Sequence, residues 1–382
     1  MSVEPVYKKS LSEFIGCSPD QFFLYWKGRV ALYAALKAMG IKEGDEVIVP
    51  SFTCVVVPNA IMYLRARPIY VDIDTKTLNT TLELIQAAVS ERTKCILIQN
   101  TFGLSSQVDE IIDFAKEKGI TTIEDCTHGF GGTYQGKPNG VRSDFSFFSS
   151  QWNKPFSTGL GGILLVNNND YLEKVKQVNT DLIYPGFKSR VMLKLLILFN
   201  KFFITDRTYW LLVRLYRFLS KTGLVIGSSS DDELNSPKKP EGFFMGGCNV
   251  QYREGVRAMN KLKGLIDLRK KNALLYTSFL KDNGKYFVDP SLESDHSFLK
   301  YPFLVKDRIA FMKKAEQSSI RLGEWFESQI HPVHEHFELW ELEPKNFPVS
   351  KEMSSHMLNL PTEIKNPHKV IQFLKKNLDD LI

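Results

Sequence analysis

The stretch "KCILIQNTFGLSSQVDEIIDFAKEKGITTIEDC", from Lys94 to Cys126, decides the fold. It opens with a short apolar run that predicts a buried strand, and it continues into "VDEIIDFAKEKG", whose apolar residues recur at helical spacing. It closes on "ITTIEDC", which predicts a second strand. A strand, a helix and a strand in this order predict two parallel strands joined by a crossover helix.

The same alternation fills the chain before this stretch. Strands are predicted in "DEVIVPSF" and "RPIYVDID", and helices in "GRVALYAALKAMGI", "NAIMYLRA" and "TLELIQAAVSE". We therefore expect an α/β fold with a mainly parallel sheet and helices on both of its faces. Ligands of such sheets bind beyond the carboxyl ends of the strands, so Asp125 is a candidate functional carboxylate.

A polar linker, "GSSSDDELNSPKKPEG" at residues 227–242, divides the chain. The 382 residues, of which 43% are hydrophobic and 24% charged, suffice for two domains. We expect a large α/β domain at residues 1–240 and a smaller C-terminal α/β domain at residues 241–382. The second domain begins with a long amphipathic helix and contains "YPFLVK", a predicted strand.

A single lysine, Lys154, lies in the glycine-rich loop "FFSSQWNKPFSTGLGG" before the predicted strand "ILLV". Alone, such a lysine is usually solvated, and Asp125 alone is as readily a helix cap. Together with Gly28 at the start of a helix, however, they are the parts of a pyridoxal phosphate site. The helix N-terminus suits the phosphate, the carboxylate suits the ring nitrogen, and the lysine suits the aldehyde.

Two long blocks carry a resemblance to a known family. "GRVALYAALKAMGIKEGDEVIVPSFTCVVVPNAI" and "TTIEDCTHGFGGTYQGKPNGVRSDFSFFSSQWNK" resemble the DegT/StrS nucleotide-sugar aminotransferases, which are fold-type I pyridoxal phosphate enzymes. The resemblance covers nearly the whole chain except a helical insertion at about residues 186–233. It implies a mainly parallel, seven-stranded sheet flanked by helices, with a large cofactor-binding domain and a smaller C-terminal one.

Three residues around the cofactor ring follow from the resemblance. Asp125 matches the family's carboxylate that holds the ring nitrogen protonated through a charge-assisted hydrogen bond. His128 matches a position beside the ring hydroxyl. Lys154 matches the lysine that binds the aldehyde and then moves the proton as general acid and base, which requires a lowered pKa.

The resemblance also implies a phosphate site. Ser149 matches the family's phosphate-binding serine, and the backbone N–H groups of Gly28, Arg29 and Val30 are expected to face the same phosphate. The family usually has Ser-Gly-Thr where this chain has Lys27, Gly28 and Arg29. Hydroxyl contacts are therefore lost there, and cationic contacts are expected to replace them.

Two further positions depart from the family pattern. Cys54 stands where the family often has an aromatic residue stacked on the ring. One alignment of "EGFFMGGCNVQYREG" puts Phe244 where the neighbouring subunit supplies an asparagine to the cofactor. A second alignment, with a gap of two residues, makes Asn249 that asparagine. Both alignments stay open at this point.

The resemblance implies transamination of a nucleotide-linked keto sugar, with an amino acid such as glutamate as donor. The product would enter a polysaccharide, a lipopolysaccharide or another glycoconjugate, and a homodimer is expected because the family completes its site across a dimer interface. Two alternatives remain. One is a sugar dehydratase, although that chemistry is associated with loss of the lysine, and the other is a non-catalytic, cofactor-binding regulatory or structural protein.

Neither a metal nor a nucleic acid is expected as a ligand. The run "HPVHEHF" spaces His331, His334 and His336 like metal ligands, but it has no cysteine and only Glu335 as a carboxylate. The net charge of +6 is concentrated in one segment, without a recognisable nucleic-acid motif. Five scattered cysteines without a CxxC pair, and an N-terminus without an apolar leader, predict a cytoplasmic protein.

The basic segment, residues 188–221, carries eight basic residues and one acid. Its uncharged runs are far shorter than the roughly 18 apolar residues that a membrane span needs. One interpretation is a pair of amphipathic helices on the anionic inner face of a membrane, as a peripheral contact. The other is a helical hairpin packed on the protein's own core or on a dimer partner.

Overall fold

The computed structural model describes residues 3–203 and 231–382. The strands are β1 (Phe22–Tyr25), β2 (Glu46–Pro50), β3 (Thr53–Cys54), β4 (Arg67–Val71), β5 (Thr93–Gln99), β6 (Thr121–Asp125), β7 (Thr133–Tyr134), β8 (Lys137–Pro138), β9 (Phe145–Ser149), β10 (Gly162–Val166), β11 (Tyr301–Leu304), β12 (Ile330–His331) and β13 (Met357–Leu360). The α-helices are α1 (Glu4–Ile15), α2 (Gly28–Ala38), α3 (Val56–Met62), α4 (Leu82–Ala88), α5 (Val108–Glu117), α6 (Leu172–Val178), α7 (Phe187–Phe203), α8 (Asp231–Asn235), α9 (Asn249–Asp282), α10 (Arg308–Gln317), α11 (Pro348–His356) and α12 (Pro367–Lys376).

A seven-stranded sheet in the order β1-β10-β9-β6-β5-β2-β4 forms the centre of the molecule. The five strands from β9 to β4 are parallel, as the strand and helix alternation predicts. At one edge, β10 pairs antiparallel with β9, and β1 pairs antiparallel with β10. The prediction of a mainly parallel, seven-stranded sheet is therefore confirmed.

Alternating side chains of the central strands pack into two separate hydrophobic cores, one on each face of the sheet. In β5, Leu97 packs with α2 and α3 on one face of the sheet. Its neighbours Ile96 and Ile98 pack with α5 on the opposite face. Because both faces are covered, the parallel strands read as continuous apolar runs in the sequence.

The C-terminal part has its own core, built on the antiparallel pair β11 and β13 with α10 and α12. The 34-residue helix α9 belongs to both parts of the molecule. Its first half packs on α1 through Tyr252 and Met259, and its second half supplies Tyr276 and Leu280 to the C-terminal core. The boundary at residue 240 remains a prediction.

The predicted helical insertion is described at both ends. It begins with α7, and α8 follows the gap in the described chain; residues 204–221 of the predicted basic segment lie outside the described residues. Among the residues that the structure describes, no helix combines the length and the apolar character needed to cross a membrane.

Candidate active site

The N-terminus of α2 lies directly against the end of β9. A Cβ atom on Gly28 would come within 2.9 Å of the Cβ atom of Ser149, and one on Gly162 within 2.1 Å of the carbonyl oxygen of Lys27. Glycine is therefore required at both positions for this close approach. The side chain of Lys27 makes no capping hydrogen bond to α2, so it does not occupy the backbone N–H groups of the first turn, which lies beside Ser149. The N–H group of Val30 donates to the carbonyl oxygen of Lys27 at 3.1 Å.

Charged side chains gather at this helix end. The guanidinium of Arg29 forms an ion pair with the carboxylate of Glu233, and both side chains are about 5% exposed or less. The backbone carbonyl of Glu233 accepts a hydrogen bond from the side-chain amide of Asn59 at 2.8 Å. Burial, and secondarily the charge of Arg29, lowers the pKa of Lys27 to about 8. The sequence analysis missed Glu233, because nothing in its local pattern links α8 to α2.

Asp125 ends β6 and is buried. Its Oδ1 atom accepts a hydrogen bond from the backbone N–H of Thr127 at 2.9 Å. Burial raises the pKa of Asp125, and the hydrogen bonds from Thr127 and the charge on Lys154 oppose that rise. The neighbouring Glu124 is used differently, since its carboxylate accepts from Asn100 at 3.1 Å and from the N–H of Gly140 at 2.9 Å.

Lys154 lies in the loop between β9 and β10. Its Nζ atom is 4.5 Å from the centroid of the Trp325 ring. Burial lowers the pKa of Lys154, while Cys54 and Asp125 lie close enough to favour its charged form. The structure therefore brings Lys154 and Asp125 together, although 28 residues separate them in the sequence.

Aromatic side chains enclose His128. Its ring stacks on Trp325 with centroids 4.6 Å apart and planes 16° apart. Phe102 and Phe326 lie 6.2 Å and 5.7 Å from the same ring. Burial, followed by the charge of Lys154, holds the pKa of His128 well below its usual value, so the imidazole is neutral. Trp325, from the segment between α10 and β12, is a site residue that the sequence analysis missed.

Cys54 and His331 are paired in register where β3 and β12 run parallel. Burial lowers the pKa of His331 to about 3, and the backbone N–H of Glu327 points at its Nδ1 atom at 3.5 Å. His334 lies 3.5 Å from the Glu327 carboxylate, whereas His336 pairs with Glu338 at the surface. Across residues 3–203 and 231–382, no group of three or more histidine, cysteine or acidic side chains is placed to hold a metal ion.

Asn249 and Phe244 lie apart from this cluster within one protomer. Asn249 is the exposed first residue of α9, and its Oδ1 atom accepts from the N–H of Val3 at 3.4 Å. Phe244 is half-buried against Tyr25 and Tyr33. In the described part of the chain no hydrogen bond or ring contact joins either residue to Lys154.

The fold is that of the pyridoxal phosphate aminotransferases. Two solved structures share the fold with a TM-score of 0.74. One is a DegT DnrJ EryC1 StrS aminotransferase from Brucella abortus, 20% identical, with 97% of this chain and 89% of that chain aligned. The other is the E. coli GDP-4-keto-6-deoxy-D-mannose-3-dehydratase, 19% identical, with 98% and 91% aligned. At these identities the likeness concerns the fold alone.

The chain belongs to the DegT/DnrJ/EryC1/StrS aminotransferase family, whose model matches residues 25–190 and 249–371. The gap between the two matched ranges contains most of the insertion. A GDP-perosamine synthase of Escherichia coli O157:H7 is 40% identical over 147 residues, which are 38% of this chain and 40% of that protein. The chain thus spans about two fifths of the length of the curated relatives it matches.

Proposed function

We propose that this protein is a pyridoxal phosphate-dependent aminotransferase that moves an amino group from an amino acid, such as glutamate, to a keto sugar carried on a nucleotide. The observation that carries the proposal is the position of Lys154 over the Trp325 ring that stacks on His128, with the buried Asp125 close enough to favour its charged form. Similarity to proteins named GDP-perosamine synthase supports the substrate class.

The chemistry of the donor set fits this cofactor. A phosphate suits the helix end at Gly28 beside the Ser149 hydroxyl, where Lys27 adds a half-buried amine. A pyridinium nitrogen suits the Asp125 carboxylate, because a buried negative charge there is otherwise unfavourable. An aldehyde suits Lys154, whose lowered pKa makes its amine more nucleophilic near neutral pH.

Each residue then has a defined task. Bound pyridoxal phosphate supplies an aldehyde that takes up an amino group and a ring that withdraws electron density. Nζ of Lys154 would act as general base and acid, moving the proton between the substrate carbon that bears the amino group and the aldehyde carbon of the cofactor. Asp125 orients the ring through its carboxylate, which Thr127 holds in place. Trp325 and His128 wall the site and exclude water from it.

The alternatives are less well supported. A sugar dehydratase shares the fold, but its chemistry is associated with loss of the lysine that this chain retains as Lys154. A non-catalytic cofactor-binding protein is suggested by Cys54 and Phe244, where the family pattern is broken. Neither departure removes the lysine or its carboxylate partner, since Cys54 borders Lys154 and Phe244 packs within its own protomer.

The proposal includes a cytoplasmic homodimer whose partner subunit completes the site, with the product entering a polysaccharide, a lipopolysaccharide or another glycoconjugate. Asn249, exposed at the start of α9, is the residue we propose to reach the neighbouring site. A peripheral contact with the inner membrane face is part of the proposal.

Incubation of the purified protein with pyridoxal phosphate, glutamate and a panel of nucleotide-linked keto sugars tests the function. We expect 2-oxoglutarate and a nucleotide-linked amino sugar in equal amounts, detected by mass spectrometry. The Lys154→Ala variant is the control and should form neither. A product that has lost a hydroxyl group without gaining nitrogen would favour the dehydratase. Absence of any product, with the cofactor bound, would favour the non-catalytic protein.

A further inference from the structure

Helix α7 exposes an apolar stripe along its whole length. Phe187, Leu195 and Phe202 recur at helical spacing, with 74%, 56% and 66% of their surface exposed. The remaining members of the stripe are Val191, Leu198 and Phe199. Just before the helix, Tyr184 is also 69% exposed. A contiguous apolar surface of this kind on a protein marks a site of interaction.

The opposite face of α7 is already occupied by the protein. Leu193 is buried and packs with Trp26, Leu160 and Cys248, and Ile197 joins the same cluster. Among the described residues, this face is the one that fixes the helix to the molecule. The described residues supply no core that covers the apolar stripe.

The charge on α7 has a single sign. Its 17 residues include Lys188, Arg190, Lys194 and Lys201 and no aspartate or glutamate. All four basic side chains are exposed. Arg190, Lys194 and Lys201 follow one edge of the apolar stripe, because their spacings of four and seven residues keep them on one side of a helix. An apolar face edged by basic residues is the pattern of a helix that lies in a membrane interface.

We propose that α7 is a membrane-surface helix, which lies on an anionic lipid bilayer with its apolar stripe in the boundary between headgroups and acyl chains. Arg190, Lys194 and Lys201 then lie at the level of the anionic headgroups. A protein partner fits less well, because protein interfaces are depleted of lysine and the helix offers no acid to pair with a basic partner. The proposal rests on α7 itself and goes beyond the transamination chemistry.

Docking through α7 brings the lysine loop near the lipid surface. A Cβ atom on Gly159 would lie 2.9 Å from Leu193 and 3.1 Å from Trp152, so α7 packs on the loop that carries Lys154. Since a helix with its side chains is about 10 Å across, that loop lies roughly one helix diameter from the membrane. The active site therefore works next to the bilayer when the protein is bound.

Co-sedimentation with vesicles tests the proposal. Vesicles of phosphatidylcholine alone are compared with vesicles containing 30% phosphatidylglycerol by composition, an amount on the order of that in strongly anionic membranes. We expect wild type to sediment with the anionic vesicles and to be released by salt, because the screening length shortens to about 8 Å at physiological ionic strength.

Two variants separate the two parts of the surface. The charge variant carries Arg190→Gln, Lys194→Gln and Lys201→Gln, and the apolar variant carries Phe187→Ser, Leu195→Ser and Phe202→Ser. Each is expected to lower the bound fraction at least tenfold. The matched control removes three exposed lysines from α9, through Lys261→Gln, Lys263→Gln and Lys271→Gln, and is expected to bind like wild type.

Several results would overturn the proposal. Wild type that stays in the supernatant with both kinds of vesicle does so directly. Equal losses of binding in the charge variant and the α9 control would show that binding depends on the net charge of the protein and not on α7. If light scattering shows that the apolar variant turns a dimer into monomers, a second copy of the chain covers the stripe instead. Should the apolar variant not fold, the charge variant, which alters only exposed side chains, still decides the question.

Discussion

Arg29 and Glu233 form an ion pair at the N-terminus of α2, with only 5% and 4% of their side chains exposed. The pair joins α8, at the C-terminal end of the insertion, to the helix that we propose binds the cofactor phosphate. Because the pair is buried, removal of one partner should strongly destabilise the fold, since the other partner keeps an uncompensated charge away from water. The insertion is thereby linked to the stability of the active site.

Glu233→Gln should lower the free energy of unfolding by about 3–5 kcal/mol, the usual loss when one member of a buried pair is removed. Chemical denaturation of the cofactor-free protein measures the change. The matched control is Glu43→Gln, which breaks the Arg65–Glu43 pair with side chains 77% and 73% exposed. That control should cost about 1 kcal/mol or less. Equal losses in the two variants would show that the buried pair is not a special contact.

Lys154→Ala should abolish turnover and leave the fold intact, since Lys154 lies in a loop and is not part of a core cluster. Loss of proton transfer alone lowers a rate by about 10²–10⁴-fold. Single-turnover kinetics and circular dichroism give the two readouts. Lys94→Ala, at the opposite end of the sheet, is the control and should keep its activity. Normal turnover in Lys154→Ala would refute the role of this lysine.

Asp125→Asn should reduce kcat by on the order of 10²–10³-fold, because it removes a preorganised charge from the reacting group. The asparagine oxygen can still accept from Thr127, so cofactor affinity should fall much less than kcat. Measuring both quantities separates the two effects. Glu124→Gln removes the adjacent charge, whose partners are Asn100 and Gly140, and should keep kcat within a few-fold of wild type. Undiminished kcat in Asp125→Asn would contradict the ring contact.

Mixing two inactive variants tests whether Asn249 acts across a dimer. If Asn249 reaches the partner's site, a heterodimer of Lys154→Ala and Asn249→Ala subunits has one site with both defects and one intact site. Random mixing should then restore about a quarter of wild-type activity, since half of the dimers are mixed and half of their sites are intact. If Asn249 serves its own protomer, every site keeps one defect and no activity returns.

His296 should make the protein less stable in mild acid. Burial lowers the pKa of His296 to about 3, while its Nδ1 atom accepts from the N–H of Phe298 at 2.9 Å and Lys270 lies nearby. The native pKa is below the unfolded value of about 6.5, so between these values only the unfolded chain gains the proton. Stability should therefore fall as the pH drops from about 6.5 towards 3, by up to about 1.4 kcal/mol per pH unit.

Denaturation curves between pH 7 and pH 4 check this expectation. His296→Asn should flatten the decline in the free energy of unfolding, because the titrating group is gone. His368→Asn removes an exposed histidine from α12 and should leave the slope unchanged. An unaltered slope in His296→Asn would mean that other groups govern the acid sensitivity.

Local patterns were enough to predict five of the seven strands of the central sheet, and they also suggested three residues of the proposed cofactor site. The apolar run of β5, the helical periodicity of α5 and the glycine that opens α2 are each written within a few neighbouring residues. Asp125 at a strand end and Lys154 in a glycine-rich loop were predicted for the same reason. Their chain order also let the two side chains be expected at one edge of the sheet.

The remaining features depend on contacts between residues far apart in the chain. No local pattern predicts that Trp325 stacks on His128 or that Glu233 pairs with Arg29, because each contact forms between elements that are distant in the sequence. The same holds for α7, whose apolar residues could equally have formed a core. Its fold-dependent orientation buries Leu193 and leaves Phe187 and Phe202 exposed. The periodicity of the sequence predicts that a helix has an apolar face, whereas the tertiary packing decides whether that face is buried in a core or exposed.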